Sequence, residues 1–303
     1  MSSSSLSTVL ASVITEAVLE LSLYGVFAVI FSAVVYLFWT RALKSKGRPI
    51  FFVFLALFIL FLSITAHLIN AIYMLYLGFA HFGGGIPAAE LYLSLSAPTT
   101  LAHISLVEVA TFITDSLVIH RLYVVWSCNR RVVIFPLIVV LCQLVSGIHI
   151  IYDFSRETLF DFYSLSNPWV TSSLVSSLLI SGYSSGMIMY KILMMARSFR
   201  RISGSANGKY HLRKVLVIII ESSLLQTAMT VGILVSFQIG LLVQSVLTAL
   251  SPVVFGISVV LIHARVGLGW AKDNYIEPTP TPIALSVSLA TSRSEERDLE
   301  RGK

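Results

Sequence analysis

The chain has 303 residues, of which 56% are hydrophobic and 12% charged, and its mean hydropathy is +0.86. Soluble domains carry about 25% charged residues, so one soluble globule of this composition would lack the polar surface to cover itself. In a bilayer, lipid tails solvate the outer face instead. These values exclude disordered, collagenous and disulfide-scaffold chains and indicate an all-α integral membrane protein.

A spanning helix needs about 20 mostly apolar residues to cross a hydrocarbon core about 30 Å thick. Seven stretches meet that need: Leu19–Thr40, Ile50–Gly78, Leu101–Trp126, Val132–Tyr152, Val170–Ala196, Val215–Phe237 and Val243–His263. A tight turn around Gln238-Ile239-Gly240 joins the last two. This gives a short N-terminal tail over 1–18, a seven-helix transmembrane domain over 19–265, and a Pro- and Ser-bearing tail over 266–303 that is expected to be disordered. The first residues lack the pattern of a signal peptide, so span one is expected to act as an uncleaved anchor.

Basic residues set the orientation, because cytosolic loops are enriched in Lys and Arg. Arg41, Lys44, Lys46 and Arg48 follow span one, and Arg121, Arg130 and Arg131 surround the end of span three. Lys191 to Lys214 follow span five, and Arg265 to Lys303 follow span seven. Only Arg156 falls on the opposite side, which carries Glu16, Glu20, Glu90, Asp153, Glu157 and Asp161. The alternation predicts a seven-transmembrane-helix bundle with the N-terminus outside and the C-terminus cytosolic, in the plasma membrane. The net charge of +6 is therefore a topology signal and not a nucleic-acid footprint. The basic inner loops suit anionic lipid headgroups, at roughly 1 kcal/mol per residue near the surface.

No two of the seven histidines are three or four apart, so the helical zinc pair is missing. There is no Gly-x-Ser-x-Gly elbow and no Walker loop, and span seven has no Lys to anchor retinal. Cys128 and Cys142 do not face the oxidising side. Gly83-Gly84-Gly85 reads as a flexible outer loop, and His149 with Asp153 as an isolated pair. No catalytic residue, metal or cofactor is expected.

Three carboxylates fall within spans: Glu108, Asp115 and Glu221. Each costs about 2.5–3.5 kcal/mol at a helix centre, so such groups face the bundle interior and usually pair. Glu108 and Asp115, seven apart, share one face of their helix. At 1.5 Å per residue, Asp115 lies roughly 16 Å, His120 roughly 9 Å and Glu221 roughly 10 Å from the inner ends of their spans. The set Asp115, His120, Arg121 and Glu221 then reads either as a switch or proton relay, or as a clamp that fixes helix register. Glu108, Gln226, Thr227 and Thr230 extend the polar content as a cavity lining, or as side chains bonded to backbone carbonyls. In span five, Ser173, Ser177, Ser181 and Ser185 recur beside Gly182-x-x-x-Gly186, a spacing that lets helices approach closely. A pocket wall or dimer face is the other reading of that stripe. Pro252 is expected to kink span seven.

The segment Asp115-Ser-Leu-Val-Ile-His-Arg121-Leu-Tyr123-Val-Val-Trp126, with Pro136 after it, resembles the end of span three in a large fungal, chiefly basidiomycete, family of seven-helix integral membrane proteins. Glu221-Ser-Ser and Leu261-Ile-His-Ala-Arg265-Val-Gly-Leu-Gly269 resemble that family's spans six and seven. Gln226 stands where an aromatic residue is more usual, and Lys191 where Arg is expected. The resemblance implies the fold, the membrane location and the importance of Asp115, Arg121, Trp126 and Glu221. The family's members are largely uncharacterised, so it implies no ligand. The expected function is a receptor-like sensor without catalysis, taking a small ligand and a cytosolic signalling partner. The alternatives are a transporter or permease for a small lipophilic molecule using buried carboxylates, and a membrane scaffold.

Overall fold

The computed structural model describes the backbone of residues 3–42, 48–94, 96–156, 167–202, 206–239 and 243–273. Side chains at 206–222, at 265–273 and at several other helix ends lie outside that description. The described residues hold helices and no strand: α1 (Ser3–Ala42), α2 (Arg48–Tyr76), α3 (Gly85–Leu93), α4 (Pro98–Val125), α5 (Arg130–Arg156), α6 (Pro168–Ile202), α7 (Ala206–Ile239) and α8 (Val243–Asp273). The chain divides into two units, Met1–Ala264 and Arg265–Lys303. Of the expected disordered tail over 266–303, residues to Asp273 continue α8 and the rest lie outside the described residues. The Gly240 turn does too.

The helix ends follow from local chemistry. Pro98 opens α4, where its missing N–H is one of the donors a helix start leaves free anyway. Asn167 caps α6, its Oδ1 accepting the Trp169 N–H at 2.9 Å while its Nδ2 donates to Asp153 at 3.0 Å. Asn129 does the same for α5, accepting the Arg131 N–H at 3.2 Å. The segment expected as a flexible outer loop follows a specific backbone path. A π turn over Leu77–His81 leads into Gly83, Gly84 and Gly85, all at positive φ, and then into the nine-residue α3. Only glycine takes three such φ values in a row without steric cost. Gly78 has a second reason: a Cβ there would fall on the Tyr92 hydroxyl of α3, which donates to the Met74 carbonyl at 3.2 Å.

Two prolines sit inside helices, Pro136 in α5 and Pro252 in α8. Each removes the N–H that would bond the carbonyl four residues earlier, and each freed carbonyl has a substitute donor. The Tyr183 hydroxyl of α6 donates to Val132 O at 3.1 Å, and the Ser251 hydroxyl to Thr248 O at 2.7 Å. In hydrocarbon an orphaned carbonyl costs several kcal/mol, so these hydroxyls are what makes the prolines tolerable.

The main core joins α1, α2, α4 and α8 through Phe27, Phe31, Leu60, Ile64, Leu117, Val253 and Val260. Gly256 brings α8 in close, since a Cβ there would lie 2.6 Å from Ile64 and 2.9 Å from Phe27. Outside this apolar core the surface is apolar as well. Val29, Phe52, Ile69, Leu141, Ile148 and Leu224 are exposed, while Glu20, His67, Asp115, Gln143 and Gln226 are buried. An apolar exterior around buried polar side chains suits lipid as the outer solvent.

Five helical stretches are long and apolar enough to cross a bilayer: Leu10–Thr40, Phe52–His81, Pro98–Val125, Arg130–Arg156 and Val243–Ala264. The chain is a multi-pass helical membrane protein. Serine and glycine dilute the apolar content of α6, and the described apolar part of α7 is the shorter stretch Ser223–Ile239.

Two expectations change here. The expected tail over 1–18 is not separate from span one, because α1 begins at Ser3 and the apolar stretch Leu10–Thr40 contains Glu16 as well as Glu20. No Gly or Pro interrupts the chain before Gly25, so nothing stops the helix from starting early. The small-residue stripe of α6 also splits. Ser173, Ser177 and Ser181 are buried, but Gly182 and Gly186 are exposed with nothing within 4 Å of an added Cβ, and Ser185 is half-buried. The serines pack within the bundle and the glycines face outward.

Candidate functional site

Helix α4 carries the polar residues that organise the bundle. In its second half lies Asp115, fully buried. Gln143 of α5 donates to Oδ2 at 2.9 Å, and Gln226 of α7 donates to Oδ1 at 2.9 Å. Ser177 of α6 stands within electrostatic range of the same carboxyl, without a hydrogen bond of good geometry. One side chain thus ties three helices, and the other oxygen of Gln143 is left without a partner.

Two turns earlier on the same face, Glu108 accepts a long hydrogen bond from Ser173 of α6 at 3.4 Å. It fits because α5 has Gly147 opposite, where a Cβ would lie 3.0 Å from the carboxyl oxygen. Ser146 and Ser172 join α5 to α6 beside it at 3.0 Å. The shared face expected from the seven-residue spacing is present. Ser181 meets Thr227 at 3.1 Å, whereas Thr230 bonds the carbonyl of Gln226 in its own helix at 3.0 Å.

Arg121 has different partners. Its Nη2 donates to Val259 O at 2.6 Å and to His263 Nδ1 at 2.7 Å, both on α8. His263 Nδ1 also lies 2.9 Å from Val259 O, so the guanidinium and the imidazole share one carbonyl acceptor. Among the described residues no carboxylate lies within ion-pair distance of Arg121. His120, half-buried, joins neither set of bonds among the described residues. Glu221 lies on α7, its side chain outside the described residues. The expected set of Asp115, His120, Arg121 and Glu221 is therefore divided among the described side chains, with Asp115 facing α5 and α7 and Arg121 facing α8.

At the end of α4, Trp126 donates from Nε1 to Met187 O of α6 at 3.2 Å, and Lys191 lies over its ring at 5.1 Å. At the start of α4, His103 packs tilted against His67 of α2 with ring centroids 4.1 Å apart, and His67 Nδ1 meets Glu20 of α1 at 2.7 Å. Glu16 of α1 is 3.8 Å from His103.

Sequence reasoning missed Gln143, His263, Glu20, His67 and His103. Each is a polar residue in an otherwise apolar stretch, and that isolation was the available signal. His149 and Asp153 do not act together, since His149 stacks on Trp169 at 4.2 Å and Asp153 holds Asn167. Among the described residues no group of three or more His, Cys, Asp or Glu side chains is arranged to hold a metal ion. No protein-family model, curated protein or solved structure matches this chain.

Proposed function

We propose that the protein is a receptor-like sensor without catalytic activity, a seven-span bundle of the plasma membrane with its N-terminus outside and its C-terminus in the cytosol. The observation that carries the reading is the position of α4, which holds a side-chain contact with each of α1, α2, α5, α6, α7 and α8. A ligand acts by favouring one of two arrangements of a bundle, and a helix tied to all its neighbours transmits a displacement from one side to the other. The basic loops at the Arg121 end are where a cytosolic partner and anionic lipids would meet the chain. The resemblance to the fungal seven-helix family agrees with this topology and supplies no ligand.

The test is the output of heterotrimeric G-protein activation sensors in cells expressing the parent and Arg121→Gln. Loss of the α4–α8 contact is expected to change the unstimulated signal of at least one G-protein class. Identical signals from parent, variant and empty cells in every class would overturn the receptor reading. A second reading, a carboxylate-dependent transporter of a small lipophilic molecule, draws on Glu108 and Asp115 sharing one face of α4. Proton-gradient-driven uptake in reconstituted vesicles, abolished by Asp115→Asn, would favour it.

A further inference from the structure

Near the start of α4 lies a group of ionisable side chains that the sensor reading does not use. It runs Glu16–His103–His67–Glu20, across α4 and α2, with both carboxylates supplied by α1. Glu16 and Glu20 are four apart and so lie on one face of α1. The row has two unequal halves. Glu20 and His67 are both 0% exposed and meet at 2.7 Å. Glu16 and His103 are 18% and 16% exposed and stand 3.8 Å apart, beyond hydrogen-bond length.

Three atoms in the row have no hydrogen-bond partner although they are buried: Glu20 Oε2, His67 Nε2 and His103 Nδ1. Leaving a buried polar atom unpaired is costly, and three in one place mark a site built to exchange something small. From the geometry we infer that these four side chains form an intramembrane proton-binding site, with Glu16 and His103 as the accessible half and Glu20 and His67 as the sealed half.

The charge arithmetic limits its states. Two carboxyls and two imidazoles are neutral as a set when they hold two protons. Within the sealed half the 2.7 Å contact of Glu20 Oε1 with His67 Nδ1 is a hydrogen bond. The accessible half is partly exposed and is where a proton is gained or lost. Two unit charges on the imidazoles at about 4 Å would repel by about 4 kcal/mol at an effective dielectric of 20, so a charge on one ring disfavours a charge on the other. Protonation of one half is therefore felt by the other through the adjacent rings.

The surroundings add few other charges. From α3, Tyr92 approaches Glu16, and burial together with that carboxylate pushes its phenol above the usual range. The side chain of Glu90 on α3 lies outside the described residues. On α4 the next acid is Glu108, five residues on. Helix α8 has no Asp, Glu, His, Lys or Arg before His263 at its far end.

The site does not depend on the sensor reading, and infrared spectroscopy tests it without a signalling assay. Full-length protein in lipid nanodiscs is stepped through pH, and the carbonyl stretch of protonated carboxylic acids is followed. The parent is expected to show a band that disappears reversibly as pH rises. Glu16→Gln should remove one component of it, and His103→Leu should move the pH at which that component disappears. Glu108→Gln and Asp115→Asn should leave that component in place. Absence of the band in the parent overturns the site, as does an unchanged band and pH profile in Glu16→Gln. If Glu16→Gln does not fold, an unmoved transition in His103→Leu overturns it equally.

Discussion

The Asp115 node can be asked whether it serves stability or function by removing it in two ways. Gln226→Met keeps the side-chain length but strips the donor from Asp115 Oδ1, and Gln143→Met strips the donor from Oδ2. Each loses a hydrogen bond to a carboxyl group and leaves a fully buried oxygen unpaired, worth about 2 kcal/mol. For a unit of this size each kcal/mol moves Tm by about 2–4 °C, so each single variant should melt about 4–8 °C lower. The triple variant Asp115→Leu, Gln143→Met, Gln226→Met removes the donors and the acceptor together, leaving nothing unpaired. Replacing a whole buried polar group with apolar side chains is often neutral or stabilising, so the triple variant should melt at or above the parent temperature. Thermal unfolding in detergent, followed by Trp fluorescence, reads both cases. If the triple variant loses the sum of the two single losses, about 4 kcal/mol, the node is structural and the argument for a function fails. If it is stable but silent in the signalling assay, the polar node is kept for what it does.

Three further predictions concern the framework. Tyr183→Phe should cost about 1 kcal/mol, because the hydroxyl serves the Val132 carbonyl that Pro136 leaves free, while the ring contact with Phe135 is retained. In a Pro136→Ala background the restored N–H takes over, so Tyr183→Phe should then cost close to nothing, and equal costs in both backgrounds refute the pairing. Gly78→Ala should destabilise by about 1–3 kcal/mol by displacing Tyr92, and adding Tyr92→Leu should recover part of that loss in the same melting assay. Cys128, exposed in the α4–α5 turn, should react with a membrane-impermeant maleimide only after cells are permeabilised. Labelling of intact cells would reverse the proposed orientation.

The long helices were legible because length and apolar content are local properties, and each of the seven stretches falls largely on one helix, five of them long and apolar enough to cross a bilayer. What was not legible depended on neighbours. Glu16 and Glu20 look like markers of a membrane edge until His103 and His67 are known to face them, and only then can α1 be seen to bury them. The split of the α6 stripe had the same cause: small residues permit close approach, but nothing within α6 says which of its faces has a neighbour. The Gln143 and His263 contacts need the rotation of two further helices, which their own sequences do not specify.

The division of the candidate site, by contrast, was within reach of the sequence. Depth put Arg121 close to the level of Glu221, but azimuth decides what a side chain meets. Six residues at 3.6 per turn leave Arg121 about 120° around α4 from Asp115, so one helix cannot aim both at the same partner. The same arithmetic pairs residues that appeared unrelated. His103 and Arg121 are eighteen apart, about five whole turns, and so share a face that meets α2 at one end and α8 at the other. Glu108 and Asp115 define a second face toward α5, α6 and α7. One face of α4 is therefore acidic and accepts hydrogen bonds, while the other is basic and reaches the proton-binding row at its start. A rotation of α4 about its axis would strain both sets of contacts together, and a change at His103 is on the face that Arg121 shares. This is the route by which protonation near one membrane surface would bias the basic loops at the other.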